Sequence, residues 1–314
     1  MKNTSQCKNL NPDKEVPMGC RQQGVAIIMV LLIVAMATSL AAYMALQQNL
    51  WQRQVESQFA RAQARQLGAA GMDWGRAVLA EDARGSSVDH EKEIWTLRLP
   101  AIPVEGGEVI GSIEDRQGLF NLNNVVTNVA QFQRLLGVLG LPADLAPALA
   151  DWMDADSEPQ PGGAEDGYYL GLPQPYRTSN RALVEIGELA GVRGYDSRTI
   201  DVLRAFVSVL PANRTPVNVN FAPAEVMMAV IEGLTLSDAR LLVQQRQGQP
   251  FKDIADFKRR LPHGGVKIVD NEISVKSDYF WVTGRASVEQ AQVVTQALMH
   301  RASNWPTVVW QSVQ

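Results

Sequence analysis

A run of acidic side chains between residues 144 and 166 is the part of this sequence best equipped for chemistry. It holds seven carboxylates and no basic residue. Hard cations such as calcium take about six to eight oxygen atoms from carboxylates, carbonyls and water. From composition alone the run is compatible with a cation site, a solvated acidic loop or a glycosidase-type acid/base pair. The candidate metal ligands are Asp151, Asp154, Asp156, Glu158, Glu165 and Asp166.

The spacing of these residues excludes the EF-hand, a common calcium motif. Asp154, Asp156 and Glu158 alternate as they do at the start of an EF-hand loop, but Pro159 stands where that loop requires glycine. A fold-back of the Gly- and Pro-rich stretch that follows would still bring a second pair of carboxylates to the same ion. That pair is Glu165 and Asp166.

Other reactive side chains are scarce. Both cysteines, Cys7 and Cys20, precede Gly24, so a disulfide, thiol catalysis and a cysteine zinc site are excluded after that residue. The three histidines are far apart in sequence, which favours surface or packing roles. A membrane-anchored periplasmic hydrolase that uses the acidic run is one alternative function, although no nucleophile-elbow pattern supports it.

The N-terminal part of the chain is predicted to enter a membrane. Val25 to Leu46 is 22 residues long without a charge, enough to cross a hydrocarbon core as a helix of about 33 Å. Arg21 before it predicts a cytoplasmic N-terminus and a C-terminal domain outside the cytoplasm. A secretory signal peptide would have a shorter apolar stretch, whereas here a helical pattern continues to about residue 82.

The junction before the apolar segment resembles a type IV prepilin cleavage site. A polar, basic leader, residues 1–24, ends in Gly24 directly before Val25. The resemblance implies that a prepilin peptidase cuts between these two residues and that the helix is retained, with N-methylation of Val25. Pilins usually carry glutamate at the fifth mature position, which here is Met29. A filament subunit with no neighbour ahead of it does not need that buried charge, which indicates the filament tip.

The remainder of the chain is predicted to be α+β. Alternating apolar residues predict strands at 94–99, 108–115, 271–288, 293–301 and 307–313, with a mainly helical stretch between the second and third. We therefore predict one long N-terminal helix, of which residues 25–46 span the membrane, packed on a small antiparallel sheet. Residues 47–120 and 268–314 form this α+β domain, and residues 121–267 form an inserted helical domain with the acidic loop.

Part of the predicted insertion resembles a helix-hairpin-helix module, which usually binds the DNA backbone. The resemblance lies in residues 217–257, but Gly233 is followed by Leu234 and Thr235, so the second hairpin glycine is missing. Residues 120–265 hold 16 acidic and 13 basic side chains, and the whole chain has a net charge of −4. A DNA-uptake protein is therefore a disfavoured alternative, since phosphate binding needs positive charge, and no nucleic-acid partner is expected.

Taken together, these segments resemble one family, the K-type minor pseudopilins of bacterial type II secretion systems. The resemblance lies in Gly24, Met29 and three segments, DWMDAD…GGAEDGYY, PYRTSNRALVEIGEL and NVNFAPAEV. It implies a pseudopilin fold interrupted by a large helical domain, bound calcium, and a complex with the minor pseudopilins I and J. It also implies a single-pass protein of the inner membrane with its C-terminal domain in the periplasm, at the tip of the pseudopilus, without enzymatic activity. The six acidic residues named above are then its expected calcium ligands.

Overall fold

The computed structural model describes residues 20–98, 100–262, 265–303 and 305–314, and only the backbone of residues 20–23. Most of the predicted leader, residues 1–19, lies outside the described residues. The chain divides into two units, Met1–Phe59 and Ala60–Gln314. One helix, α1 (Cys20–Gly85), contributes to both.

The part of α1 in the first unit is exposed on every side. All side chains from residue 24 to residue 59 are exposed, including the apolar ones of the predicted membrane segment. From Gly24 onward, α1 is the one helix among the described residues that is long and apolar enough to cross a membrane. This agrees with the predicted membrane segment, since an apolar surface without a protein partner suits lipid.

The second unit combines a sheet with short helices. Three short 3-10 helices lie at Ile94–Thr96, Leu122–Asn124 and Ile186–Gly191. In chain order, the other elements are β1 (Ile102–Val104), β2 (Gly107–Asp115), β3 (Phe120–Asn121), α2 (Val129–Val138), α3 (Leu145–Met153), α4 (Asp166–Tyr169), α5 (Ser197–Leu203), β4 (Val207–Ser208), β5 (Val217–Asn218), α6 (Ala224–Val230), α7 (Leu236–Gly248), α8 (Ile254–Arg259), β6 (Ile273–Ser274), β7 (Tyr279–Val288), β8 (Ala291–His300) and β9 (Thr307–Val313).

The main sheet is antiparallel and has the strand order β1-β2-β7-β8-β9. Its first two strands and its last three are far apart in the sequence, and the helices α2–α8 lie between them. The α+β class and the antiparallel sheet were predicted correctly. Two further ladders are short and parallel, β3 with β4 and β5 with β6.

One face of the sheet packs on α1 between Ala60 and Leu79. Met72 and Leu79 are buried against Phe280 and Val282, and Ala60 and Ala64 against a second group in β7 and β8. Glycine allows the helix to come close, because a Cβ at Gly68 would lie 2.7 Å from Thr295 Oγ1. Gly68 therefore lets α1 lie directly against β8.

A second and larger apolar core belongs to the region between the sheet strands. Its members lie between Phe120 and Ile273, and Phe120 stacks on Phe132 with 5.6 Å between the ring centroids. The predicted insertion is therefore built around a core of its own. The predicted domain boundaries at residues 120/121 and 267/268 stay predictions.

The predicted strands differ from the structure in two places. The segment at 94–99 was predicted as a strand and this is wrong, since Ile94–Thr96 is a 3-10 helix. Trp95 is buried between Phe221 and Phe280, while the Thr96 hydroxyl donates to the carbonyl of Glu93, so local bonds replace strand pairing. The predicted strand at 271–288 is two strands, β6 and β7, separated at residues 275–278.

The segment that resembles a helix-hairpin-helix module does form two short helices around a tight turn. Gly233 lies between α6 and α7 with φ +87°, a backbone conformation that favours glycine. Thr235 caps α7 by accepting a hydrogen bond from the backbone N–H of Asp238. The turn is further tied down by an ion pair between Glu232 and Lys267 at 3.0 Å.

Candidate metal centre

Two helix ends bring three of the predicted carboxylates together. Asp151 lies in α3, whose side chains are all buried, and Asp154 directly follows that helix. Glu165 is the residue before α4. The chain between them turns back through Gly162, at φ +89°, so that the end of α3 faces the start of α4. This is the fold-back that the Gly- and Pro-rich stretch suggested.

The three carboxylates lie close to one another. One oxygen from each of Asp151, Asp154 and Glu165 lies within 4.8 Å of the other two. Asp151 is fully buried and Glu165 is 6% exposed. Asp151 Oδ1, Asp154 Oδ1 and Glu165 Oε1 are buried and accept no hydrogen bond within the described part of the chain. Buried carboxylates that converge in this way, each with one oxygen that accepts no hydrogen bond, are typical of a cation site.

The pKa values of the three carboxylates are also shifted by their surroundings. Burial, as the largest cause, together with the nearby charges of Asp154, Asp151 and Asp156, raises the pKa of Glu165 from 4.5 to about 7. Burial likewise raises the pKa of Asp151 and of Asp154. Carboxylates that share a site without a counter-charge resist ionisation, and a bound divalent cation would reverse that.

The other three predicted ligands are placed differently. Asp156 and Glu158 are exposed, and Asp156 Oδ1 accepts the backbone N–H of Glu158 at 2.9 Å. Asp166 turns to Thr178, whose backbone N–H and hydroxyl both reach its Oδ1 at 3.0 Å. The Thr178 backbone bond lowers the pKa of Asp166. The described geometry thus groups three of the six candidates and gives Asp166 other partners.

The residues present fit a hard cation. All converging atoms are carboxylate oxygens, the donor type that calcium prefers, and carbonyls or water would complete the shell. Gly163 leaves room for this arrangement, because a Cβ at that position would overlap the Asp151 carboxylate. Asp151 Oδ2 is held by the backbone N–H of Gln160 at 3.1 Å, which fixes the direction of the side chain.

The raised pKa of Glu165 predicts a pH dependence of stability without metal. Between pH 4.5 and about 7 the folded state holds a proton that the unfolded state releases, so stability contributed by Glu165 falls as pH rises. In the presence of a chelator, we expect the Tm of the full chain in detergent to fall over this window. Glu165→Gln should make the fall smaller. An identical pH dependence in the variant would contradict the assignment.

A second acidic cluster contrasts with the first. Asp82, Asp89 and Glu93 also offer oxygens within 4.8 Å of one another. Here Arg301 supplies the positive charge: Nη1 lies 2.7 Å from Asp82, and Nη2 lies 2.6 Å from Asp89 and donates to the carbonyl of Ser277. Glu93 accepts the Trp95 indole N–H at 2.9 Å. Asp82 and Asp89 therefore have a counter-charge within the protein, which the sequence did not reveal.

Two family models match this chain, and both are described as type II secretion system (T2SS), protein K. They cover residues 118–212 and residues 217–276. The matched ranges contain the acidic cluster of α3 and α4, and also the turn between α6 and α7. The model matches therefore include the helical region that separates β2 from β7.

Several relatives match this chain over most of their own length. The type II secretion system protein K of Pectobacterium carotovorum is 32% identical, covering 93% of this chain and 96% of the relative. That of Pseudomonas aeruginosa is 33% identical over 90% of each. That of Klebsiella pneumoniae is 32% identical, covering 76% of this chain and 80% of the relative.

A solved structure has the same fold. It is the GspK-GspI-GspJ complex from the Type 2 Secretion System of enterotoxigenic Escherichia coli, with a TM-score of 0.73 and 24% identity. The match covers 83% of this chain and 99% of the solved one. The sequence resemblance, the two family models and these relatives agree, and the chain belongs to the type II secretion system protein K family of minor pseudopilins.

Proposed function

We propose that this chain forms the tip of the pseudopilus, in a complex with the minor pseudopilins I and J. The observation that carries the proposal is the bulk between β2 and β7, where α2–α8 surround a separate apolar core. A subunit of this width does not fit inside a tightly packed helical filament, so its place is at the end. The solved relative, described as a GspK-GspI-GspJ complex, supports the choice of partners.

Met29 gives an independent argument for the tip position. It lies in the exposed apolar part of α1, where a subunit of the filament body has glutamate, and its side chain is 63% exposed. A body subunit without that carboxylate would leave a neighbour's amino terminus unpaired in lipid, which is costly. At the tip there is no such neighbour, so an apolar residue suffices.

We further propose that calcium occupies the space between Asp151, Asp154 and Glu165. The ion would neutralise three buried carboxylates and so tie the end of α3 to the start of α4. The orphaned oxygens and the raised pKa of Glu165 support this role. Within the tip complex, a stiffened helical region would present a fixed surface. Asp156 and Glu158, exposed nearby, remain candidates for outer contacts through water.

Processing at Gly24 is a specific consequence of the pilin-like role. We expect Gly24→Leu to block cleavage between Gly24 and Val25, because the peptidase needs a small residue there. We expect the variant to fold normally, because a Cβ at Gly24 meets no described atom within 4 Å. Intact-mass measurement of the membrane-bound protein checks this, with Gly19→Leu as a control that should still be cut. A mature N-terminus near residue 47 would indicate an ordinary signal peptide.

Topology follows from the same role. The positive leader would stay in the cytoplasm and the residues from about 47 onward would lie in the periplasm. A C-terminal phosphatase fusion should therefore be active. An inactive phosphatase fusion combined with an active cytoplasmic reporter would reverse the orientation.

The tip position itself is tested by gold-labelled antibody against the region between β2 and β7, on pseudopili assembled with the full chain. We expect label at one end of each filament and lost secretion of exoproteins in a deletion strain, restored by the wild-type gene. Label along the whole shaft would refute the cap. The DNA-uptake and hydrolase alternatives predict normal secretion in that deletion strain.

A further inference from the structure

The two edge strands of the main sheet, β1 and β9, differ in length and in composition. The β1 edge is three residues long and contains Pro103, which cannot donate a hydrogen bond to an added strand. The β9 edge is seven residues long and has neither a charge nor a proline. Soluble proteins normally protect such an edge, so an unprotected one indicates that another strand covers it.

The ladder between β8 and β9 shows which backbone groups of β9 face outward. Val294 and Gln314 exchange both of their backbone hydrogen bonds, at 3.0 and 2.9 Å. In an antiparallel pair such exchanges alternate, so Ser312 and Trp310 also bond to β8. The N–H and C=O groups of Gln311 and Val313 therefore point away from β8. No strand of the described residues pairs with that side.

The side chains of β9 add apolar surface to this open edge. Val308, Val309, Trp310 and Val313 are between 37% and 50% exposed. Trp310 lies opposite Leu298, which lies opposite Trp281, so the three form a row across β9, β8 and β7. The two indole rings stack with 5.2 Å between centroids. This row is on the sheet face away from α1, because the neighbouring Val282 and Ala297 pack against α1.

A cleft of about 400 Å³ opens beside this row, within the range of roughly 300–1,000 Å³ that ligand pockets occupy. Its lining also includes Val184, Ile186 and residues 207–210, together with the charged residues Glu185 and Arg204. Two polar groups there lack partners among the described residues, Ser208 Oγ and Arg116 Nε, and Ser208 is only 7% exposed. A strand added to β9 would place every second side chain on this face, opposite Trp310 and over the cleft.

We propose that β9 receives an extended strand of a neighbouring pseudopilin, I or J, with one apolar or aromatic side chain of that strand in the cleft beside Trp310. The outward N–H and C=O groups of Gln311 and Val313 can pair with the backbone of an extended polypeptide. The row of Trp310, Leu298 and Trp281 favours an apolar or aromatic side chain on that strand. The choice of partner rests on the proposed tip complex, since the solved relative is described as assembled with GspI and GspJ.

The test uses the full chain, co-expressed with the I and J subunits of the same system. A photo-reactive benzoyl-phenylalanine replaces Gln311 in β9 or, as the matched control, Pro103 in β1. We expect cross-links from position 311 to I or J and none from position 103. Cross-links only to a second copy of this chain, or none from 311 while the three proteins still co-purify, would overturn the proposal.

Edge variants provide the second arm. Gln311→Pro removes an outward N–H without touching the bonds to β8, and Val313→Lys places a charge on the edge. We expect each to weaken co-purification with its partner on the order of tenfold, which is about 1.4 kcal/mol, at an unchanged Tm of the isolated chain. Val104→Lys on the β1 edge should have no effect. Equal binding by all three variants contradicts the inference, whereas a wild-type chain that never associates with I or J contradicts the proposed function as well.

Discussion

Arg301→Met is expected to destabilise the folded chain by about 3–5 kcal/mol, the usual cost of removing one partner from a buried ion pair. The Arg301 side chain is 1% exposed and that of Asp89 is 2% exposed, so neither charge reaches water. The guanidinium also lies 4.5 Å from the centre of the Phe280 ring. Removal of Arg301 leaves the buried carboxylate of Asp89 and the partly buried carboxylate of Asp82 without their counter-charge.

Thermal unfolding of the full chain in detergent measures this effect. A domain of this size loses roughly 2–4 °C in Tm for each kcal/mol, so the expected loss is large. Arg84→Met is the matched control, because Arg84 and its partner Glu81 are 62% and 77% exposed and such pairs contribute little. A Tm of Arg301→Met within the error of the control would show that the pair does not hold α1 to the loop and β8.

The sequence predicted those parts of the fold that depend on local pattern. The strand at 307–313 has the predicted bounds, and the two strands at 108–115 and 293–301 agree within two residues at each end. The uninterrupted helical pattern after residue 46 also corresponds to α1, which ends at Gly85. In each case an alternating or helical period extends over the whole element, so nearest neighbours decide the structure.

Contacts between distant residues could not be predicted in this way. Arg301 pairs with residues 212 and 219 positions earlier, and nothing in its neighbourhood marks it. The NVNF segment was recognised only by resemblance, whereas its role is structural. Asn218 donates to Ser277 Oγ at 2.8 Å, and Asn220 exchanges two hydrogen bonds with the backbone of Phe251. Such bonds require the completed fold, because each joins segments that meet only by tertiary packing.

For the candidate site, the sequence located the region but not the inward-facing members. Composition identified the acidic run, since seven carboxylates without a basic residue are unusual. Burial of α3 on all sides turns Asp151 inward. Asp166 was an equally plausible metal ligand from its spacing. In the structure, however, it accepts two hydrogen bonds from Thr178, twelve residues later. No local signal distinguishes these two aspartates.

Calcium is expected to raise the Tm of the full chain, and a chelator to lower it. A ligand that binds only the folded state adds about 2.7 kcal/mol when present at 100 times its Kd. The expected shift is positive for the wild-type protein because calcium neutralises three carboxylates that otherwise repel one another. Glu158→Gln, at an exposed position, should retain nearly all of the shift.

Asp154→Asn gives the sharpest form of this prediction, because the effect of the variant should change sign with the metal. Without calcium, loss of one charge removes the burial cost and the repulsion that raise the pKa of Asp154 and Glu165, so the variant should be more stable than the wild-type chain. With calcium, the variant lacks one ligand oxygen of full charge and should be less stable than the wild-type chain. A solvated acidic loop predicts neither difference. If the two Tm curves keep the same order with and without calcium, or if a chelator leaves the wild-type Tm unchanged, the cluster of Asp151, Asp154 and Glu165 does not bind the ion.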